Sequence, residues 1–199
     1  MAQAFLLGVA AGYAIAIPFG PIAILIVRTG VRQGLRAAAA AGAGTATADL
    51  VFATIAMLFG AAASALLAPI LPPARLVAGA ALAVIAVRGL LAVPSLIDRE
   101  SGTSRPGSTY LLFLGLTLVN PPTVIYFASL ASALPEVSAD VASRAAFVVG
   151  AFVSSLSWQE FLAVVGAMLH GRLTPRLQRI TAVVSSIIIV ALAARVAFG

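Results

Sequence analysis

Six long apolar runs take up almost the whole chain, at roughly 4–27, 37–60, 65–92, 109–134, 144–169 and 178–198. A helix needs about 20 mostly apolar residues to cross the hydrocarbon of a bilayer, and each run supplies them. Lipid offers no water to satisfy backbone polar groups, so runs of this length are expected to be helices, whose amides bond within the segment. At 62% apolar residues, 9% charged residues and a mean hydropathy of +1.12, 199 residues carry more apolar surface than one soluble core could hide. The chain reads as an all-α integral membrane protein. The first run has no basic residue ahead of it and exceeds a signal-peptide core, so it is expected to be retained as a helix; a cleaved signal is the alternative.

The net charge of +6 comes from twelve arginines and no lysine. Their placement argues for a membrane surface and against nucleic acid. Arg28, Arg32 and Arg36 follow the first run, Arg99 and Arg105 lie between the third and fourth, and Arg172, Arg176 and Arg179 lie between the fifth and sixth. The other connections hold Arg75 and, beside Glu136 and Asp140, Arg144; Arg195 near the C-terminus is the exception. By the positive-inside rule the odd-numbered loops are cytoplasmic and both termini lie outside. These arginines are expected to anchor topology at lipid headgroups. Cysteine is absent, which removes disulfides and thiolate metal sites.

The most polar interior connection, PSLIDRESGTSRPGST, divides the chain into 1–93, a cytoplasmic linker over 94–108, and 109–199. The flanks resemble each other. DLVFATIAMLFG from Asp49 aligns with EFLAVVGAMLHG from Glu160, and FGPIAIL from Phe19 with VNPPTVIYF from Val119. The matches keep their order, at the first and second helices of each half. Three helices per half is an odd number, so two similar halves must enter the membrane from opposite sides. That is an inverted repeat, as in many secondary transporters. Chance similarity between alanine-rich helices is the competing explanation.

Pro18 and Pro21 interrupt the first helix of one half, and Pro121 and Pro122 the first helix of the other. A proline has no amide hydrogen and its ring crowds the carbonyl four residues back. Broken backbone at membrane depth must be buried in protein or line a wet cavity. Gly and Asn are accepted helix N-caps, and Pro is favoured at the first helical position. Gly20-Pro21 and Asn120-Pro121 therefore read as starts of half-helices, whose free amides and positive dipole ends suit a carboxylate or phosphate. Pro18 belongs to the same candidate substrate site, as do Thr123 and Tyr126, one turn beyond Asn120. An ordinary kink with local repair also fits either break taken alone.

Asp49 and Glu160 lie far from the ends of the second and fifth runs. A carboxylate there costs several kcal/mol unless it is protonated, paired or wet, which makes an intramembrane acid a functional candidate. Each could carry a proton or receive a substrate ammonium. Thr45 precedes Asp49 by one turn and Ser157 precedes Glu160, so each acid is expected to have a hydroxyl neighbour on its own face. Gln159 and Trp158 are expected to point elsewhere. Interhelical glue, or pairing with an arginine such as Arg28 or Arg88, is the structural alternative. Gly8 and Gly12 form a GxxxG, which allows close helix approach and suits a homodimer.

These motifs carry a family resemblance. PFGP at Pro18 to Pro21, the glycine-rich helix leading to Asp49, NPPTVIYF from Asn120 and the ending from Gly166 together resemble the LysE/RhtB-type amino-acid exporter family over essentially the whole chain. The resemblance implies inner-membrane efflux of amino acids or related small solutes, driven by the proton gradient, with no enzymatic step and no cofactor. Pro122 stands where the family often has a lysine, and Glu160 is not part of the family pattern.

The expected fold is thus six transmembrane helices as two inverted three-helix repeats, with proline-broken helices 1 and 4. The expected function is a proton-coupled small-solute exporter of the bacterial inner membrane. A metal exporter of the same fold would need hard oxygen ligands, which two separated acids supply poorly. An intramembrane protease would need a Gly-x-Gly-Asp context or a nucleophile elbow with a histidine. TATAD at Thr45 to Asp49 lacks the first, and the single His170 sits at a helix end.

Overall fold

A computed structural model of the chain describes residues 1–18, 20–59, 105–120 and 140–170, together with helical positions within 73–87, 123–130 and 180–194. Pro121, Pro122, most of the third run, the linker before Arg105, and Arg75, Arg88, Arg99, Arg172, Arg176, Arg179 and Arg195 lie outside the described residues. The described residues are helical, with no strand among them.

Five helices are described from end to end: α1 (Ala2–Ala16), α2 (Pro21–Gln33), α3 (Leu35–Phe59), α4 (Pro106–Leu118) and α5 (Val141–Met168). Among them α3 and α5 are long and apolar enough to cross a membrane, and α1 with α2 makes a third span if the bent pair counts as one. Their outward faces are apolar: Val149, Val153, Phe161 and Val164 of α5 and Val51 and Leu58 of α3 are exposed, as a lipid-facing surface requires.

The first run breaks where its prolines fall. Helix α1 stops at Ala16, and the Ile17 amide still bonds the Tyr13 carbonyl. Gly20 is extended, Pro21 takes the first helical position of α2, and the axis turns by 77°. Pro18 thus ends one helix and Pro21 opens the next, because a missing amide hydrogen is harmless only in a first turn. Helix α2 runs on through Arg28 and Arg32 to Gln33, beyond the apolar run. Gly34 alone joins it to α3. Its φ of +80° is a backbone state that other residues rarely adopt, and its amide bonds the Gly30 carbonyl at 3.0 Å.

Helix α5 is the hub, packing against α1, α2 and α3, while α3 also packs against α4. Alanine and glycine make the contacts close. A Cβ on Gly12 would collide with Ser154 Oγ and the Ala151 carbonyl, and one on Gly8 with the Phe147 backbone. The GxxxG face is therefore occupied within the chain, which corrects its reading as a self-association surface. Arg28 is expected at the headgroups or beside an acid. It is part-buried, and its Nη1 donates to Ser186 Oγ at 3.2 Å.

Candidate functional site

Asp49 sits on the α3 face built from Ala38, Ala41, Gly42, Thr45 and Ala46. These small side chains bring the backbones of α3 and α5 close, and the carboxyl ends 3% exposed. Ser155 Oγ donates to Asp49 Oδ2 at 2.6 Å. A short bond from a hydroxyl to a carboxyl oxygen is of the strong, charge-assisted kind when the acid is ionised. Ser155 is itself fully buried, so the pair lies in the seam between the helices and away from lipid.

The expected hydroxyl neighbours are bonded elsewhere. Thr45 Oγ1 donates to the Ala41 carbonyl at 3.1 Å. Ser157 Oγ donates to the Ser154 carbonyl at 2.8 Å and lies 3.0 Å from Tyr13 Oη. A helical hydroxyl one turn from an acid can always bond its own backbone instead. The acid takes its donor from the facing helix.

Glu160 is half-buried on α5 and faces α3 at Gly42, where an added Cβ would lie 2.9 Å from its Oε1. Seven residues of α3 separate Gly42 from Asp49, about 10 Å at the helical rise. The structure thus puts both acids along one interface without joining them. Gln159, expected to point elsewhere, packs against Gly42 as well, with its Cβ 3.2 Å from the position of an added Cβ there. It is 5% exposed, and its Oε1 has no hydrogen-bond partner among the described residues.

The second break is tied to the first half. Helix α4 ends at Leu118, Asn120 lies outside it, and Thr123 is again helical. Asn120 Nδ2 donates to Thr123 Oγ1 at 2.8 Å, and the Thr123 amide to the Asn120 carbonyl at 3.1 Å. Tyr126 Oη donates to the Ala11 carbonyl of α1 at 2.8 Å. Phe127 stacks on Phe52 at 6.4 Å between centroids, one turn beyond Asp49. Phe52, Phe127, Ala11 and Phe147 belong to one buried cluster, against which Ile15 and Tyr126 pack. The last turn of α1, the Asp49 turn of α3, Tyr126 and Phe127, and α5 therefore converge.

At the first break, Gly20 and Pro21 are half-buried and Ala23 is buried. The Ile24 amide bonds the Gly20 carbonyl at 3.3 Å, which leaves the amides of Ile22 and Ala23 at the free end of α2.

Sequence reasoning missed Ser155 and turned Gln159 away from the acids, although SSLSWQE is a dense polar stretch in an otherwise apolar helix. A helical repeat would have put Ser155 and Gln159 on one face; only the α3 packing shows that this face meets Asp49.

A family model, LysE type translocator, matches residues 13–199. The chain belongs to the LysE type translocator family. No curated protein and no solved structure matches it. The match spans both breaks, Asp49, Ser155, Gln159 and Glu160. As a translocator the chain is a membrane transporter, and its family is not enzymatic. Membrane placement agrees with the apolar outer faces of α3 and α5. In this LysE type translocator, a helix-breaking segment and a buried carboxyl pack on the same α1–α3–α5 core.

Proposed function

We propose that the chain is a secondary exporter of amino acids or related small solutes in the bacterial cytoplasmic membrane, coupled to protons through Asp49. The observation that carries this reading is the buried Asp49–Ser155 contact beside two interrupted helices. A carboxyl in the seam between membrane helices must be neutral, paired or wet, and a single serine hydroxyl does not neutralise it. Proton uptake and binding of a substrate ammonium are two ways of meeting the same need. If both use Asp49, occupancy by one expels the other, which is antiport.

The negative group of the substrate then meets the half-helix ends at Gly20-Pro21 and Asn120-Pro121, where free amides and the dipole favour an anion. Pro18 sets the end of α1 that exposes this site, and Thr123 and Tyr126 hold the second break in place. Two inverted three-helix repeats would aim both ends at one centre. The arginine distribution supports cytoplasmic odd-numbered loops and external termini. A homodimer would need a face other than Gly8 and Gly12.

The test is reconstitution into proteoliposomes and a screen of radiolabelled amino acids against an imposed pH gradient. Uptake of at least one amino acid that needs the gradient and is lost in Asp49→Asn is expected. Gradient-driven transport by Asp49→Asn at the wild-type rate removes Asp49 from the mechanism. Failure of the wild-type protein with every amino acid directs the search to another solute class.

A further inference from the structure

We propose that Gln159 and Glu160 extend the Asp49–Ser155 contact into a water-bearing proton path along the α3–α5 seam, with Glu160 as its outlet towards the cytoplasm. This rests on the proton-coupling reading of Asp49. Three observations converge. Ser155 and Gln159 are one turn apart on the α5 face that meets α3, so Gln159 follows directly from the serine bonded to Asp49. The Gln159 side chain is 5% exposed, yet its Oε1 has no partner among the described residues. Glu160, the next residue, is half-buried with Oε1 against Gly42.

A buried amide oxygen without a donor is unfavourable, and an ordered water is a common way of avoiding that cost. The span is right for water. Gly42 and Asp49 are about 10 Å apart along α3, and two waters joined through three hydrogen bonds of about 2.8 Å cover most of it. The side chains of Asp49 and Glu160 supply the rest. Gln159 Oε1 accepts from one water and so holds the chain in line.

The step is a proton relay. The Asp49 carboxyl gives its proton to the first water, that water passes another of its protons along the chain, and the Glu160 carboxylate receives one. Asp49 ends ionised and Glu160 protonated, with no other bond changed. Gln159 is a positioning residue, because it holds the water and exchanges no proton. With α3 entering from the cytoplasmic side, as the arginines indicate, Glu160 lies between Asp49 and the cytoplasm.

Four other titratable groups near the seam are already bonded. Tyr110 of α4 donates to Thr47 Oγ1, Tyr13 of α1 pairs with Ser157, Tyr126 donates to the Ala11 carbonyl, and Arg28 of α2 donates to Ser186. Arg32 lies one turn past Arg28, towards the end of α2. Asp140 caps the opposite end of α5. Among the described residues, Asp49 and Glu160 are the carboxyls of this seam.

The test is infrared hydrogen–deuterium exchange on the full chain in lipid bilayers, with the Asp49 carboxyl band assigned by its loss in Asp49→Asn. Gln159→Leu and Glu160→Gln should each slow deuteration of that band by about tenfold or more, a modest share of what a positioned proton-transfer group supplies. Gln159→Asn, which keeps an amide carbonyl, should recover part of the rate lost in Gln159→Leu. A merely structural Gln159 predicts otherwise: leucine removes an unsatisfied acceptor and leaves exchange unchanged. Wild-type exchange in either Gln159→Leu or Glu160→Gln overturns the path. Absence of an Asp49 carboxyl band from the wild-type protein at every pH instead overturns proton coupling at Asp49, which keeps the two failures apart.

Discussion

Ser155 of α5 donates its hydroxyl to Asp49 of α3 across 2.6 Å, and both residues are buried. The contact joins the two longest described helices at a buried point, out of reach of lipid. It is therefore both a packing element and the setting of the candidate coupling acid.

Replacing Ser155 with alanine removes the donor and leaves a buried carboxyl oxygen unpaired, at a cost of about 1–3 kcal/mol. Thermal unfolding in detergent reads this. Adding Asp49→Asn should make the Ser155→Ala change milder, with a coupling of about 0.5–3 kcal/mol in the double-mutant cycle. Purely additive effects would mean that the bond contributes nothing to the folded state. Transport should fall in Ser155→Ala and be lost in Asp49→Asn.

The two prolines of the first break should respond differently. Pro21 occupies a first helical position, which tolerates proline, so Pro21→Ala alone should leave the bend in place. The double variant Pro18→Ala/Pro21→Ala restores both amides and lets the helix run from α1 into α2. Spin-label distances between the two helices should lengthen as the 77° bend opens, with insertion retained and transport lost. A straightened helix with undiminished transport would make the break a structural kink only.

Gly12 and Gly115 offer a paired test of close packing. A side chain at Gly12 collides with Ser154 and Ala151, whereas a Cβ at Gly115 has open space around it. Gly12→Val should destabilise by about 1–3 kcal/mol through overpacking. Gly115→Ala should stabilise by about 0.5–1 kcal/mol through helix propensity. Because Gly12 faces α5 of its own chain, unfolding of the monomer should report the change; an effect confined to the oligomer on cross-linking would contradict the assigned packing.

Exposed at the N-terminal end of the candidate span, Asp140 caps α5, its Oδ1 accepting from the Ser143 amide at 2.8 Å. Hydrogen bonding from the Ser143 side chain, and then from its backbone amide, holds this carboxyl below the usual aspartate range. A lowered folded value means that the cap is fully stabilising above the unfolded aspartate value of about 3.9. Its contribution is lost as pH falls through the lower folded value. Amide-exchange protection at Ser143, corrected for intrinsic rates, should therefore drop on the acid side. Asp140→Asn should abolish that pH dependence, while Asp140→Ala should lose the protection at every pH.

Much of the site was legible residue by residue. Pro18, Gly20 and Pro21 marked the end of one helix and the start of another, because proline and glycine act through local backbone chemistry. Asp49 stood out because an acid in an apolar run has no inexpensive environment. Asn120 before Pro121 likewise signalled an interruption, and its side chain bonds Thr123. Thr45 and Ser157 are neighbours of the acids along their own helices, but their hydroxyls bond backbone carbonyls, because spacing along one helix identifies neighbours and not bonding partners. Gly8 and Gly12 announced a close contact without saying with what, and the contact is α5 of the same chain. Arg28, assigned to the headgroups by the charge rule, is part-buried and bonded to Ser186 from a helix near the other end of the chain.

The sequence by itself determined that this protein is helical and lies in a membrane, where its helices break and which acids are out of place. Each follows from hydrophobicity, proline geometry or the cost of a charge in lipid, all properties of a residue and its near neighbours. Only the tertiary structure decided that Ser155 serves Asp49, that Gln159 is buried with a free oxygen, and that Glu160 faces Gly42. Those facts depend on the register between α3 and α5. Alanine and glycine line so much of both helices that many registers would pack with similar contacts, so the choice among them is visible only once the helices are set side by side.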